Sequence, residues 1–328
     1  MRSGMTRRAA LVAAGLAATA RPGVAQEGAR YPSRPVRLVV PFPPGGSTDA
    51  VVRMLAPPLA DGLGQPVLVE NRPGAGGGLG LAAVAQAPAD GHTLGIGAAG
   101  GLAANKSLYP KLPYDPVRDF APLSLIAHIP FVLVAHPGAP ASTLADLLAQ
   151  ARRAPKEVAV AHGGNGTAMH LSIQLLGQLG AVGLSEIAYK GTGPATLDVM
   201  GGQVPYAMLD LPSALQAIRS GKLRPLAVTG RRRLSDLPDV PTAEEAGVKG
   251  YESTGWFGLV APARTPPAVL ERVQSQLQAV LADPKVQASA RAVGVELEGS
   301  TPAEFGRFIG SEIDKWGQVI KVSGTRLE

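Results

Sequence analysis

The stretch FAPLSLIAHIPFVLVAHP at 120–137 decides the fold, because it is a long apolar run without a helical period. A second extended stretch, YESTGWFGLVAP, follows at 251–262. Between and around these two stretches, strand and helix patterns alternate. Two α/β lobes joined by two extended crossings have the layout of a hinged clamp that closes over a ligand.

The alternation of strands and helices is clear from the start of the first lobe. The continuous apolar run PVRLVVPF at 35–42 is typical of a strand that is buried on both faces of a parallel sheet. A helix is predicted from about Ser47 to Leu63, and the adjacent Pro57 and Pro58 are expected to kink it or to end it near Ala56. The fold class is therefore α/β, with open and mostly parallel sheets built through right-handed crossovers.

The chain of 328 residues is long enough for two lobes, each with a core of its own. We expect an export signal at 1–25, the first part of lobe one at 26–127, lobe two at 128–253 and the C-terminal part of lobe one at 254–328. The return of the last helices to lobe one is inferred from the two extended crossings.

The N-terminus has the pattern of a cleaved export signal. Basic residues precede the mild apolar stretch AALVAAGLAATA, and small residues before Ala25 predict a cut after that residue. Arg7 and Arg8 ahead of an Ala-rich core, with Arg21 beyond it, favour the twin-arginine route. An anchored N-terminal helix is disfavoured, because the apolar run is shorter than the roughly 20 residues that a bilayer needs.

Charge and cysteine content limit the possible partners. The signal carries four arginines and no acidic residue, so its removal lowers the formal net charge from +6 to +2. A nucleic-acid partner is therefore not indicated. The chain has no cysteine, so no disulfide framework is possible and the core alone must hold the fold. We expect the exported mature chain to be soluble and monomeric.

The turn VVPFPPGGSTDAVV at 39–52 predicts an anion site. Gly45 and Gly46 follow a strand and precede a helix start, so unpaired backbone N–H groups and the positive end of a helix dipole meet at the edge of a sheet. Ser47 and Thr48 can add hydroxyl donors. An ordinary strand–helix turn with an N-cap explains the same residues, and Asp49 fits that simpler reading, because an acid would repel a bound anion.

The segment GIGAAG at 95–100 matches the Gly-x-Gly-x-x-Gly pattern of dinucleotide sites. The residues after it, GLAANKSLYPKLPYDP, form a non-periodic stretch with two prolines instead of a clean crossover helix. A second small-residue loop that lines the same cleft is the better interpretation, and no cofactor is expected.

Lobe two repeats the arrangement of strand, glycine-rich turn and helix in AHGGNGTAMH at 161–170 and AYKGTGPAT at 188–196. Lys190 is either the one positive charge that these loops offer a ligand or a solvated surface group, and Asp210 is either an N-cap or a ligand contact. The five histidines show no metal-ligand spacing, so satisfied or exposed histidines are expected and no metal site is predicted. His162 and His170 lie two helical turns apart only if a helix begins unusually early.

The chain resembles the substrate-binding components of tripartite tricarboxylate transporters, the Bug family. The resemblance rests on the loops described above and, in order along the chain, on the segments VENRPGAGGGLG (69–80), LPYDPVRDFAPLSLIA (112–127), LPDVPTAEEAG (237–247) and WFGLVAPARTP (256–266). The resemblance covers essentially the whole mature chain. It implies a periplasmic protein with the two-lobed type II periplasmic-binding-protein fold, the Venus-flytrap, that closes over a small carboxylate. Membrane transporter subunits of this type, or a sensor, are the implied partners.

The resemblance also implies a set of ligand-binding residues on both lobes. They are Phe42, Pro44, Gly45, Gly46, Ser47, Thr48, Ala98, Ala99 and Gly100 in lobe one, and Gly164, Asn165, Gly166, Thr167, Lys190, Gly191, Thr192 and Asp210 in lobe two. Ser47 stands where the family often has proline, and the loop after Ala98 lacks the polar side chains that the family tends to place there. These departures suggest a ligand with a less polar or bulkier distal group.

Three functions remain open from the sequence. The leading one is a receptor that captures an organic acid for uptake or sensing. An exported enzyme acting on a carboxylic acid is the alternative, and it would need a general base in the cleft, for which Asp49, Lys190, Asp210 and the histidines are the candidates. A structural or sensory protein without a transport role uses the same clamp. No catalytic residue is assigned.

Overall fold

The computed structural model describes residues 31–327, and the predicted export signal at 1–25 lies outside them. The strands are β1 (Val36–Val40), β2 (Val67–Asn71), β3 (Thr93–Ala98), β4 (Phe120–Ala135), β5 (Ala159–His162), β6 (Ser185–Ala188), β7 (Tyr206–Asp210), β8 (Arg224–Val228), β9 (Thr254–Pro262) and β10 (Glu296–Leu297). No helix within these residues is both long and apolar enough to cross a bilayer.

The helices connect the strands and cover the sheets. They are α1 (Ser47–Leu63), α2 (Gly78–Ala85), α3 (Asn105–Leu108), α4 (Leu144–Arg153), α5 (Ala168–Gly180), α6 (Thr192–Met200), α7 (Leu211–Arg219), α8 (Pro267–Ala282), α9 (Pro284–Ala292) and α10 (Pro302–Ser323). A 3-10 turn at Ala75–Gly77 precedes α2, and a π-helical turn at Gly100–Ala104 precedes α3.

Two sheets share one long strand. In the first sheet, β1 lies parallel to β2 and β3, and β9 runs antiparallel between β3 and β4. In the second sheet, β4 pairs antiparallel with β7 and β8, while β5 lies parallel to β6 and β7. The carboxyl ends of the parallel strands in each sheet therefore carry the loops that lead into the helices.

Strand β4 is the structural link between the lobes. Its residues from Phe120 to Pro130 pair with β9, and its residues from Phe131 to Ala135 pair with β7 and β8. The register between β4 and β9 shifts at two irregularities, which bend the pair as it leaves the first sheet. Both long stretches of the sequence are thus extended, and they run side by side where the lobes meet.

The C-terminal helices pack on the first lobe. Helix α8 lies against α1, and α10 covers β4 and the turn that follows β3. Buried Glu312 of α10 accepts hydrogen bonds from the indole N–H groups of Trp256 and Trp316, at 2.8 and 2.9 Å. The bond from Trp256 ties the last helix to β9 inside the core, and the bond from Trp316 lies within α10.

The predicted end near Ala56 is wrong, because α1 continues through both prolines to Leu63. The carbonyl of Arg53 loses its partner at Pro57, but both residues are exposed, so solvent can satisfy that group. Leu55 and Leu59 on the opposite face are buried, and this packing stabilises the helix on both sides of the prolines.

The non-periodic stretch expected after GIGAAG is also helical in its first half, as the π-helical turn and α3. All five residues of the turn are buried, and small side chains let it sit tightly against its neighbours. A hydrophobic period is absent from the π-helical turn because every side of the turn is covered.

Candidate ligand-binding site

A cavity of about 120 Å³ lies between the lobes, and both lobes contribute to its wall. The first lobe provides residues 42–48, 98–100 and 255–257, β4 provides Ile129 and Phe131, and the second lobe provides Gly163, residues 167–169, residues 190–194 and Asp210. A second cavity of about 420 Å³ adjoins it and shares Phe42, Pro43, Gly163, Thr167, Lys190 and Gly191 with it.

The loop between β1 and α1 is organised by Asp49. Its carboxylate is buried and accepts hydrogen bonds from the Gly45 amide, from Arg53 and from Asn71, each at 2.9 Å. Burial pushes the pKa of Asp49 up, but the hydrogen bonds from these groups outweigh that effect and hold the pKa below its ordinary value. Asp49 is therefore a structural residue, and the Gly45 N–H is engaged inside the loop.

The next amides of the same loop remain free. Helix α1 begins at Ser47 after Gly46, which is the N-cap and makes no side-chain capping bond. Within residues 31–327, the N–H groups of Gly46, Ser47 and Thr48 have no hydrogen-bond acceptor. These groups point outward along the helix axis at the cavity wall, where the helix dipole is positive.

Two helices of lobe two begin at the same cavity. Thr167 caps α5 by accepting the His170 amide, and the amides of Ala168 and Met169 at the cavity wall find no acceptor in the described part of the chain. Helix α6 begins at Thr192, where the Thr192 amide is likewise free. Three helix N-termini, one from lobe one and two from lobe two, therefore surround one small cavity.

Two charged residues line the cavity, and only one of them is buried. Asp210 is 2% exposed; one carboxylate oxygen caps α7 through the Ser213 amide, and the other accepts the Ser47 hydroxyl at 2.7 Å. Ser47 belongs to lobe one and Asp210 to lobe two, so this hydrogen bond joins the lobes. Lys190 is exposed at the rim, and no ion pair to it is found among residues 31–327.

A contact made by three glycines joins the lobes at a second place. A Cβ on Gly100 would lie 2.5 Å from the Gly166 carbonyl oxygen, and a Cβ on Gly76 would lie 2.9 Å from the same atom. The backbones of the two lobes thus touch where no side chain has room. We call Gly76, Gly100 and Gly166 the glycine seam.

Most of the residues predicted from the sequence lie at the first cavity. They are Phe42, Pro44, Gly45, Gly46, Ser47, Thr48, Ala98, Ala99, Gly100, Thr167, Lys190, Gly191, Thr192 and Asp210. The other three predicted residues lie elsewhere: Gly164 and Asn165 line the second cavity, and Gly166 lies in the glycine seam. Asp210 is an N-cap, which is one of the two roles considered for it, and it also lies in the cavity wall.

The floor of the cavity was missed by sequence reasoning. Ile129 and Phe131 of β4 and Gly255, Trp256 and Phe257 of β9 line it. The two crossing strands could have indicated these residues, because the strands that join two lobes must run beneath the cleft between them. Apolar strand residues carry no chemical motif that would single them out.

A two-lobed α/β protein with a shared central strand, and with helix N-termini from both lobes around one cavity, belongs to the class of ligand-binding clamps. The family model described as "Tripartite tricarboxylate transporter family receptor" matches residues 51–325. Protein BugT of Bordetella pertussis is 38% identical over 299 residues, which cover 91% of this chain and 92% of BugT. The chain therefore belongs to the tripartite tricarboxylate transporter receptor family.

Solved structures of similar proteins agree with this assignment and confirm the two-lobed periplasmic-binding-protein fold. The periplasmic binding protein BugD is 36% identical with a TM-score of 0.86 over 91% of this chain and 100% of its own. The R. palustris protein Rpa4515, solved with adipate, is 36% identical with a TM-score of 0.86 over 90% and 100%. MatC from Rhodopseudomonas palustris, solved with bound malate, is 34% identical with a TM-score of 0.84 over 88% and 100%.

Family membership decides between the receptor and the enzyme that the sequence left open. The family consists of receptors that bind a solute, so the chain is a solute-binding protein and the enzyme alternative is not supported. Asp49 and Asp210, two of the candidate general bases, have their carboxylate oxygens engaged by protein donors.

Proposed function

We propose that this chain binds a small organic acid, as its carboxylate, in the cavity between the lobes. The observation that carries the proposal is the set of free backbone amides at the starts of α1, α5 and α6 around this cavity. Each helix N-terminus stabilises a nearby negative charge by about 0.3–1 kcal/mol, and more where the charge is partly buried. Amides from both lobes can bind a carboxylate only when the lobes are close together, so binding favours closure.

The wall of the cavity indicates the size and the apolar character of the ligand beyond its carboxylate. Besides the amides, it presents the carbon surfaces of Phe42, Ile129, Phe131, Met169 and Trp256. A cavity of about 120 Å³ is small beside the roughly 300–1,000 Å³ of sites for drug-sized molecules. The ligand we propose is a short carboxylate with an aliphatic or aromatic body, in the size range of the adipate and malate in the two similar structures.

Delivery completes the proposed function. The export pattern at 1–25 supports action in the periplasm, and the family supports transfer of the acid to membrane subunits of a tripartite tricarboxylate transporter. A sensor that takes the loaded receptor is the second recipient we consider.

A thermal-shift panel tests the ligand class. Adipate, malate, benzoate and other short acids are compared with their amides or alcohols and with NAD. An acid present at 100 times its dissociation constant adds about 2.7 kcal/mol to the free energy of unfolding, and its uncharged analogue adds far less. Stabilisation by NAD, with no acid active, would overturn the proposal.

The variant Gly46→Val locates the site. A Cβ at Gly46 meets only the Pro43 carbonyl oxygen, at 3.8 Å, so the loop accepts it, while the isopropyl group covers the free amides of α1. We expect acid binding to be lost and the melting temperature without ligand to stay close to that of the wild type. Gly310→Val on α10 is the matched control, because a Cβ there meets nothing within 4 Å. Equal acid affinity in Gly46→Val and the control would place the site elsewhere.

A further inference from the structure

Two buried histidines lie stacked beneath the loop that joins β5 to α5. His162 is the last residue of β5, and His170 is in the first turn of α5. Their ring centroids are 5.0 Å apart, with 13° between the planes, and the two residues are 0% and 3% exposed. The loop brings the strand end and the helix start together, so the pair forms although the two residues are on different elements.

Each ring accepts a hydrogen bond from a glycine amide of that loop. The Gly164 amide donates to Nδ1 of His162, and the Gly166 amide donates to Nδ1 of His170, both at 3.2 Å. Gly164 has a φ of 129° and Gly166 a φ of 77°, so the loop follows a path that depends on glycine. An Nδ1 that accepts carries no hydrogen, and a neutral ring then carries its hydrogen on Nε2.

Glu186 selects this tautomer for His170. One carboxylate oxygen of Glu186, on the neighbouring strand β6, lies 3.1 Å from Nε2 of His170. The side-chain nitrogen of Gln174 lies 3.0 Å from the same ring nitrogen, while the Gln174 side-chain oxygen has no partner within residues 31–327. An Nε2 that carries a hydrogen cannot accept from that nitrogen, so in this tautomer the Gln174 amide is turned to present its oxygen there. The carboxylate accepts the Nε2 hydrogen, which leaves Nδ1 as the acceptor for the loop. Nε2 of His162 has no hydrogen-bond partner within residues 31–327, so its ring is held by the stack and by the Gly164 amide.

The loop above the histidines serves the cavity and the contact between the lobes. Gly163 and Thr167 line the first cavity, and Gly166 forms the lobe-two side of the glycine seam. A shift of Gly164 or Gly166 would therefore move the cavity wall and the surface that meets lobe one.

We propose that His162 and His170 are positioning residues, which as neutral rings with Nδ1 as acceptor hold the loop 163–167 in the shape required for ligand binding and lobe closure. A proton on either Nδ1 removes an acceptor and sets a ring N–H against a backbone N–H. The titratable groups that act on His162 from the packed elements, within the described residues, are His170 on α5 and Glu186 on β6. Burial, with a further contribution from His170, lowers the pKa of His162 to about 4, so this ring is neutral at pH 7.

Nitrogen-15 NMR of the imidazole rings in the purified wild-type protein tests the proposal without a ligand. At pH 7 we expect both histidines to show an unprotonated Nδ1 and a protonated Nε2. A hydrogen on Nδ1 of either ring, or a doubly protonated ring at that pH, would overturn the proposal.

A pair of variants tests the role of the acceptor. His162→Asn keeps an oxygen close to the position of Nδ1, and His162→Leu removes the acceptor. We expect exchange of the Gly164 amide hydrogen to become about tenfold faster in His162→Leu, as befits the loss of one buried hydrogen bond, and to stay close to wild type in His162→Asn. Equal exchange rates in the two variants would contradict the proposal.

The affinity of the variants for adipate tests whether the histidines affect ligand binding. Of the three tests, only this one rests on the proposed function. If adipate binds the wild type, His162→Leu should bind it about tenfold more weakly, in line with one lost buried hydrogen bond, whereas His162→Asn should bind it as the wild type does. If no acid of the panel binds the wild type, the proposed function fails, and the ring and amide measurements still decide the role of the histidines.

Discussion

The glycine seam makes a sharp prediction for Gly100→Ala. A Cβ at this position would lie 2.5 Å from the Gly166 carbonyl oxygen across the seam and 2.8 Å from the Gly76 carbonyl oxygen. Gly100 is outside the left-handed region, so alanine can adopt its backbone conformation without strain. The substitution therefore acts through these contacts, and the simplest relief is a movement of lobe two away from lobe one.

The size of the effect follows from the cost of overpacking. An added methyl group in a tight contact costs about 1–3 kcal/mol. If this cost falls on the closed form alone, the affinity for an acid falls by about fivefold to 150-fold, since each 1.4 kcal/mol is a factor of ten. Gly310→Ala is the control, because a Cβ there meets nothing within 4 Å and the residue lies on α10, away from the cavity.

Two measurements check this prediction. Calorimetric titration with the strongest acid of the panel gives the affinity, and small-angle X-ray scattering with that acid gives the radius of gyration. We expect weaker binding and a larger radius for Gly100→Ala than for the control. Wild-type affinity and radius would refute the reasoning. A lower melting temperature with an unchanged radius would show that the strain falls on Gly76 inside lobe one.

The remaining predictions concern three other buried groups. Ser47→Ala leaves one oxygen of Asp210 without its donor between the lobes, so calorimetric titration should show weaker acid binding, by about 1–3 kcal/mol. The folded pKa of His162, about 4, lies below its ordinary value of 6.5, so the unfolded chain takes up this proton first as the pH falls. Above about pH 6.5, His162 is neutral in both states and does not lower the free energy of unfolding. On acidification to pH 4, its protonation in the unfolded chain lowers that free energy by about 3 kcal/mol. Urea unfolding over this pH range should show a smaller decrease for His162→Asn. Glu312→Leu leaves two buried indole N–H groups without their acceptor and should lower the free energy of urea unfolding by about 1–3 kcal/mol for each.

The secondary structure was largely predictable because the chain alternates short apolar strands with amphipathic helices. The helix Ser47–Leu63 has the predicted bounds, since the glycines before it and Gly64 after it mark its ends. The error at Pro57 has a physical cause. The prediction considered only the backbone hydrogen bond that proline removes from a helix. The helix continues because the residues on its other face are buried against the core.

The amide-bearing part of the site was predictable for a similar reason. Loops at the carboxyl ends of parallel strands must meet at one edge, so Gly46 and Thr192 could be expected at a common cleft. The floor could not be predicted, because the register that brings Phe131 beneath the cleft depends on how β4 passes from one sheet to the other. The stacked His162 and His170 escaped prediction because the spacing of two residues along the chain does not give the path of the loop between them.

The glycine seam and the hydrogen bond from Ser47 to Asp210 are two of the contacts between the lobes, and they differ in what they can do to ligand binding. In the glycine seam, Gly100 also lines the cavity, but a Cβ on it would face the carbonyl oxygens of Gly166 and Gly76. A methyl group there therefore changes the fraction of protein that is closed and scales the affinities of all ligands by one factor. The hydrogen bond from Ser47 to Asp210 joins two groups of the cavity wall itself, so removing it also changes which ligands fit there. Gly100→Ala should therefore weaken every acid of the panel equally, whereas Ser47→Ala should alter their order of affinity. A changed order in Gly100→Ala would show that the seam also shapes the cavity.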